Sequence, residues 1–102
     1  MSIRFAWDSK KAIRNHKEHD GVTFEEAVTV FRDPLAYIFD DDQHSDEEYR
    51  ELIIGYSAHT RLLIVSFTER SDVIRIISAR KADAREQIAY EQARRQGKER
   101  RT

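Results

Sequence analysis

Three runs rich in Val, Ile, Tyr, Phe and Thr follow one another almost without a break: YRELIIGYS at 49–57, RLLIVSFTER at 61–70 and VIRIISARK at 73–81. The first pair is joined by AHT and the second by SD. A parallel crossover needs about a dozen residues, so connections this short predict a meander of adjacent antiparallel strands. In the middle run Leu63, Val65 and Phe67 form one apolar face. Leu62, Ile64, Ser66 and Thr68 alternate with them and turn polar towards one end. One face of the sheet is therefore expected to pack on helices and the other to be only partly covered.

The remaining segments arrange themselves around that sheet. Residues 2–7 alternate apolar and polar, with Ile3, Phe5 and Trp7 on one side, and predict a half-buried strand. Asp8 stands as the N-cap of a helix to about His19, which Gly21 ends. Thr23 followed by Glu26 is a capping box, and Phe24, Ala27, Val28 and Phe31 place one apolar face on the helix it opens, with Pro34 as its stop. Leu35–Phe39 predicts a short edge strand, and 40–48 a polar connection. Asp83 caps a last helix to about Arg95, and GKERRT at 97–102 is expected to be a frayed basic tail. The order β-α-α-β-β-β-β-α makes this an α+β fold, one domain over 1–96 with the tail at 97–102.

Composition narrows the function classes. The chain has 102 residues and no cysteine, which excludes a disulfide framework and a Cys-based zinc site and fits the cytoplasm. No apolar run approaches the roughly 20 residues of a membrane span, and the N-terminus lacks a signal-peptide core. The net charge of −1 hides a polarity: 18–51 holds twelve acids against two bases, 80–102 eight bases against four acids. A polyanion would be repelled by the first region and drawn to the second.

The arginines carry the most chemistry. Arg75 and Arg80 interrupt an otherwise apolar strand, and Arg61 opens the strand before it. In a hairpin about 70–72, Arg61 and Arg80 lie near one end of the sheet and could form a phosphate-binding fork, with Lys81 and Arg85 adding charge. The competing reading pairs them with acids such as Glu51, Glu69 or Asp83. Tyr90, on the last helix, could act as a base only if cations lowered its phenol pKa; otherwise its ring packs on the sheet edge. His44, in the acidic connection, has the near-neutral pKa of a general acid or base. Metal ligation is not expected: His16 and His19 lack a third ligand, and the calcium-loop pattern from Asp40 has Ser45 where glycine belongs. No cofactor-binding motif appears.

FAWDSKKAIRN, GVTFEEAVTVFRDP, HSDEEYRELIIGYS and RIISARKADAREQIAY together resemble the BrnT family, toxins of bacterial type II toxin–antitoxin modules. The resemblance runs from about Phe5 to Tyr90, and its most specific pieces are Trp7-Asp8-x-x-Lys11-x-x-x-Asn15, Phe24-Glu25-Glu26-Ala27 and Arg75–Arg80. The chain departs from the family where Glu18-His19-Asp20-Gly21-Val22 replaces the usual K-H-G-V. The resemblance implies a RelE-like fold and a metal-independent endoribonuclease, without cofactor, that stops translation. It implies neutralisation by a ribbon-helix-helix antitoxin, contact with operator DNA only through that antitoxin, and an assembly compatible with homodimerisation within a heterotetramer. By position it implies Arg61, Arg80 and Tyr90 as catalytic groups with His44, and Arg75 and Arg50 as substrate contacts beside Lys81 and Arg85. A different class, a non-catalytic module acting as co-repressor with its antitoxin, would use the same arginines against a partner's carboxylates.

Overall fold

A computed structural model of the chain describes residues 3–42 and 48–100, with side chains as far as Arg95. The elements follow the expected order: β1 (Arg4–Ala6), α1 (Ser9–Glu18), α2 (Phe24–Val30), β2 (Tyr37–Asp40), β3 (Glu51–Tyr56), β4 (Leu62–Arg70), β5 (Val73–Lys81) and α3 (Ala84–Arg100). They build one five-stranded sheet in the order β1-β5-β4-β3-β2. The meander β2-β3-β4-β5 is antiparallel, as its short turns require. β1 adds a parallel edge beside β5, so the sheet is mixed. Ser71, with φ of 54°, takes the left-handed position of the two-residue turn between β4 and β5.

α1 and α2 cover one face. Val22, Phe24, Ala27 and Val30 meet Ile53, Leu63, Val65, Phe67, Ile74, Ile76 and Ala79 in the main core. Edge-to-face aromatic contacts bind the edge strand into it, Phe5 to Phe31 at 5.2 Å and Phe31 to Phe67 at 5.1 Å between ring centroids. Burying one such phenylalanine stabilises the fold by about 2 kcal/mol or more. α1 opens on Asp8, whose carboxylate accepts from the Lys10 and Lys11 amides at 2.8 and 3.1 Å. β5 outruns β1 beyond Arg75, and buried Asn15 supplies what the missing neighbour strand would: it donates to Ala79 O at 2.8 Å and accepts from Ala79 N at 3.0 Å.

The opposite face carries Tyr37, Ile54, Ile64 and Arg80 in one cross-strand row and Phe39, Leu52, Ser66 and Ser78 in the next. α3 lies over only part of it: Tyr90 of that helix is buried, as are Ile54 and Ile64 of the sheet, and Ile54 lines a groove with Arg85, Glu86 and Ala89. Its start is a reciprocal capping box: Asp83 Oδ1 accepts from Glu86 N, and Glu86 Oε1 accepts from Asp83 N, both at 2.8 Å. The helix runs on to Arg100, past the expected end at Arg95. Gly97 within it costs about 1 kcal/mol relative to alanine.

Candidate functional site

The three side chains expected to converge are divided between the two faces of the sheet. Arg61 precedes β4 by one residue and shares the parity of Leu63, which turns it towards α2. There its Nε donates to Glu26 Oε2 at 3.0 Å, its Nη2 to Glu26 Oε1, and its Nη1 to Asp20 O at 3.0 Å. Ser57 Oγ donates to the same Glu26 carboxylate at 2.7 Å. Glu26 is buried, and the Arg61 hydrogen bond holds its carboxyl below the usual carboxylate range. The capping box of α2 is therefore half made: Thr23 Oγ1 accepts from Glu26 N at 3.0 Å, but the glutamate side chain turns away to Arg61.

Tyr90 and Arg80 lie on the other face, beneath and beside α3. Tyr90 is 1% exposed; its ring packs edge-to-face on Tyr56, and its hydroxyl donates to Asp33 Oδ2 at 2.8 Å. Burial and then the Asp33 bond push its phenol pKa upward, the opposite of what a base at neutral pH needs. Asp33 is a junction that the sequence reading missed. It also accepts from Tyr56 N at 2.8 Å, satisfying β3 where β2 no longer reaches, and from Leu35 N at 2.9 Å. The available signal was the Asp-Pro pair after α2, a frequent turn starter. Arg80 makes a two-pronged pair with Glu86, 2.7 Å from Nη1 and 2.8 Å from Nη2. Lys81 is exposed opposite Leu63, and Arg85 lines a groove with Tyr37, Phe39, Ile54, Glu86 and Ala89.

The structure brings a different set together on the part of that second face away from α3. Arg75 opposes Thr68, and Arg80 opposes Ile64, both even positions of β4. Side chains five residues apart in a regular strand point to opposite faces, so these two could not share one. A bulge in the pairing next to Ser66/Phe67 leaves Ile77 unpaired, reverses the alternation and puts both arginines on the same side. They stand roughly 13 Å apart along the strand. Arg75 is half-exposed, and its Nη2 donates to Glu48 Oε1 at 2.8 Å. Arg50 Nε lies 3.9 Å from the same oxygen. Glu48, Thr68, Arg70, Val73 and Arg75 line a cavity of about 250 Å³. His44 falls outside the described residues. Among those described, no cluster of three or more His, Cys, Asp or Glu side chains could hold a metal.

Residues 7–86 match the profile of a family described as "Ribonuclease toxin, BrnT, of type II toxin-antitoxin system". The chain belongs to the BrnT family. It is a ribonuclease toxin of a type II toxin–antitoxin module, and a cognate antitoxin is its partner. The fold is similar to the crystal structure of the Brucella abortus ribonuclease toxin, BrnT, with a TM-score of 0.63 and 22% identity over 80% of this chain and 99% of that one. No match was found among curated proteins. The α+β architecture is shared with that toxin; among the described residues no helix is long and apolar enough to cross a membrane.

Proposed function

We propose that this BrnT chain binds RNA on the part of the second sheet face that α3 leaves open, with Arg75 as the principal phosphate contact and Arg50 and Arg70 beside it. The observation that carries this is the bulge at Ile77, which spends a strand irregularity to keep a half-exposed guanidinium on a face lined by Thr68, Ser66 and Ser78. Bulges of this kind re-aim side chains next to active sites. Cleavage by the neighbouring 2′-hydroxyl forms a bond from that oxygen to phosphorus and breaks the bond to the 5′-oxygen. One group must take the 2′-hydroxyl proton and another must protonate the leaving oxygen. The phosphorane gains negative charge, which Arg75 stabilises with donors that already point outward.

His44 is our choice for proton transfer. It stands four residues before Glu48 in the chain, and the Glu48 carboxylate touches Arg75. Arg80, Lys81 and Arg85 extend the cationic margin on the α3 side, while Arg61 and Tyr90 hold the scaffold. The reaction needs no metal in this scheme. The antitoxin, of the ribbon-helix-helix type, covers the arginine face with acidic side chains and carries the operator contact, and the module works in the cytoplasm.

The deciding experiment expresses the chain without its antitoxin and follows growth and RNA integrity, then digests naked RNA with and without EDTA. Arrest with RNA breakdown that Arg75→Ala and His44→Ala abolish, in proteins that keep their circular dichroism, is the expected result. Full cleavage by folded Arg75→Ala would remove the sheet face as the site. Growth unaffected by the wild-type chain would favour a co-repressor instead.

A further inference from the structure

The stretch Trp7-Asp8-x-x-Lys11-x-x-x-Asn15 is spent on structure except at one position. Trp7 packs edge-to-face on Phe24 at 6.0 Å, Asp8 caps α1, and Asn15 completes the edge of β5. Lys11 is exposed on the first turn of α1, and among the described residues no carboxylate forms an ion pair with it. Its position gives it a different use. Lys11 and Arg75 line one cleft of about 270 Å³ at the β1 margin of the sheet, with Ala6, Trp7, Ile76 and Ile77 between them. Arg75 also borders the cavity beside Thr68, so the two linings share this residue. The bulged Ile77 contributes to the apolar lining, which ties this cleft to the same irregularity that aims Arg75.

We infer that this cleft is a nucleotide subsite for the RNA substrate, taking the nucleotide that flanks the one held at the Arg75 cavity. The inference rests on the sheet-face reading above. A phosphate is shared by Arg75 and Lys11, and the attached base lies on the apolar lining against the partly exposed Trp7 indole. Cations that track a phosphodiester chain beside an aromatic platform are the usual means of holding a single strand without reading its sequence. Among the described residues Arg75 engages Glu48 through Nη2 alone, so its remaining donors serve a phosphate without breaking that pair. Asp8, on the cleft rim, has its charge turned onto the Lys10 and Lys11 amides, and those bonds hold its carboxyl below the ordinary range. Arg14, three residues after Lys11 on the exposed side of α1, continues the positive charge outward.

Trp7 is the single tryptophan of the chain, so its fluorescence reports this cleft directly. The test titrates the intact toxin with a short 2′-O-methyl RNA, which binds but cannot be cut, while the anisotropy of a labelled copy follows total binding. Trp7 emission is expected to change with the same midpoint as the anisotropy. Lys11→Ala should weaken binding several-fold, raise KM with kcat kept, and lower the salt slope of binding by about one, with Lys11→Arg restoring all three. Shortening the RNA by its flanking nucleotide should erase the difference between wild type and Lys11→Ala. Trp7 emission unchanged at saturating RNA would overturn the subsite, as would a Lys11→Ala variant that loses antitoxin binding while KM holds, which would assign the cleft to the protein partner. If folded Arg75→Ala cleaves normally, the sheet-face reading itself falls. If Arg75→Ala is inactive and Trp7 stays silent, only the subsite does.

Discussion

Arg61 and Arg75 are the same side chain under opposite conditions. Arg61 meets a carboxylate that is 4% exposed, shares it with Ser57, and adds a backbone carbonyl. Arg75 meets a carboxylate on the rim of a cavity, with its own side chain 50% exposed. The first guanidinium neutralises a charge that the fold has buried; the second is held in place and kept available. They stand towards opposite ends of the sheet, and strand parity with the bulge turns them onto opposite faces.

The contrast can be broken most severely at Arg61. Arg61→Ala leaves Glu26 buried without its cation and should lower stability by ~3 kcal/mol, read from urea or thermal unfolding, while the cleavage rate per folded molecule holds. Arg75→Ala should do the reverse: RNA cleavage falls on the order of 100-fold, with stability changed by less than about 0.5 kcal/mol. If Arg61→Ala kills cleavage in fully folded protein, the division between scaffold and site is misplaced.

Tyr90→Phe sharpens the comparison on the α3 side. It deletes the bond to Asp33 and should cost about 1 kcal/mol without a change in the pH–rate profile near neutrality. The alkaline limb of stability tests the same bond. A phenol whose pKa is raised in the folded state stabilises fully below the unfolded value of about 10, and that contribution is lost as pH climbs towards the folded value. Tyr90→Phe should remove that loss. The acid limb belongs to Glu26, whose pKa is lowered from 4.5 first by its bond to Arg61. Its contribution is complete above that value and vanishes as pH falls through the lowered one, so Arg61→Ala should flatten the acid side of the stability curve. Arg80→Ala should have the smallest effect, about 0.5 kcal/mol for a partly exposed pair and a few-fold rise in KM.

The element order, the caps at Asp8 and Thr23 and the meander were legible because they rest on local chemistry: turn length, side-chain alternation and first-turn acceptors. The parallel pairing of β1 beside β5 was not, since three residues carry no sign of which edge they will join. The trio of Arg61, Arg80 and Tyr90 read from the sequence is not one that the structure brings together. Arg61 and Arg80 were grouped by nearness at one end of the hairpin, and Tyr90 joined them only through the family resemblance. Their acidic partners, Glu26, Glu86 and Asp33, sit on helices or in turns between 6 and 57 residues away in the chain, and a one-dimensional reading cannot choose among nineteen acids. Arg75 was singled out from the start because an arginine inside an apolar strand needs a reason, and its partner Glu48 lay in a connection that read only as polar.

The unpaired Ile77 ties the placement of the two arginines to the length of the strand. Deleting it would leave four steps between them in an uninterrupted ladder, and both would stay on one face. Forcing the present five-step spacing into regular register would instead turn one guanidinium towards the packed interior, although every charged group would still be present in the gene product.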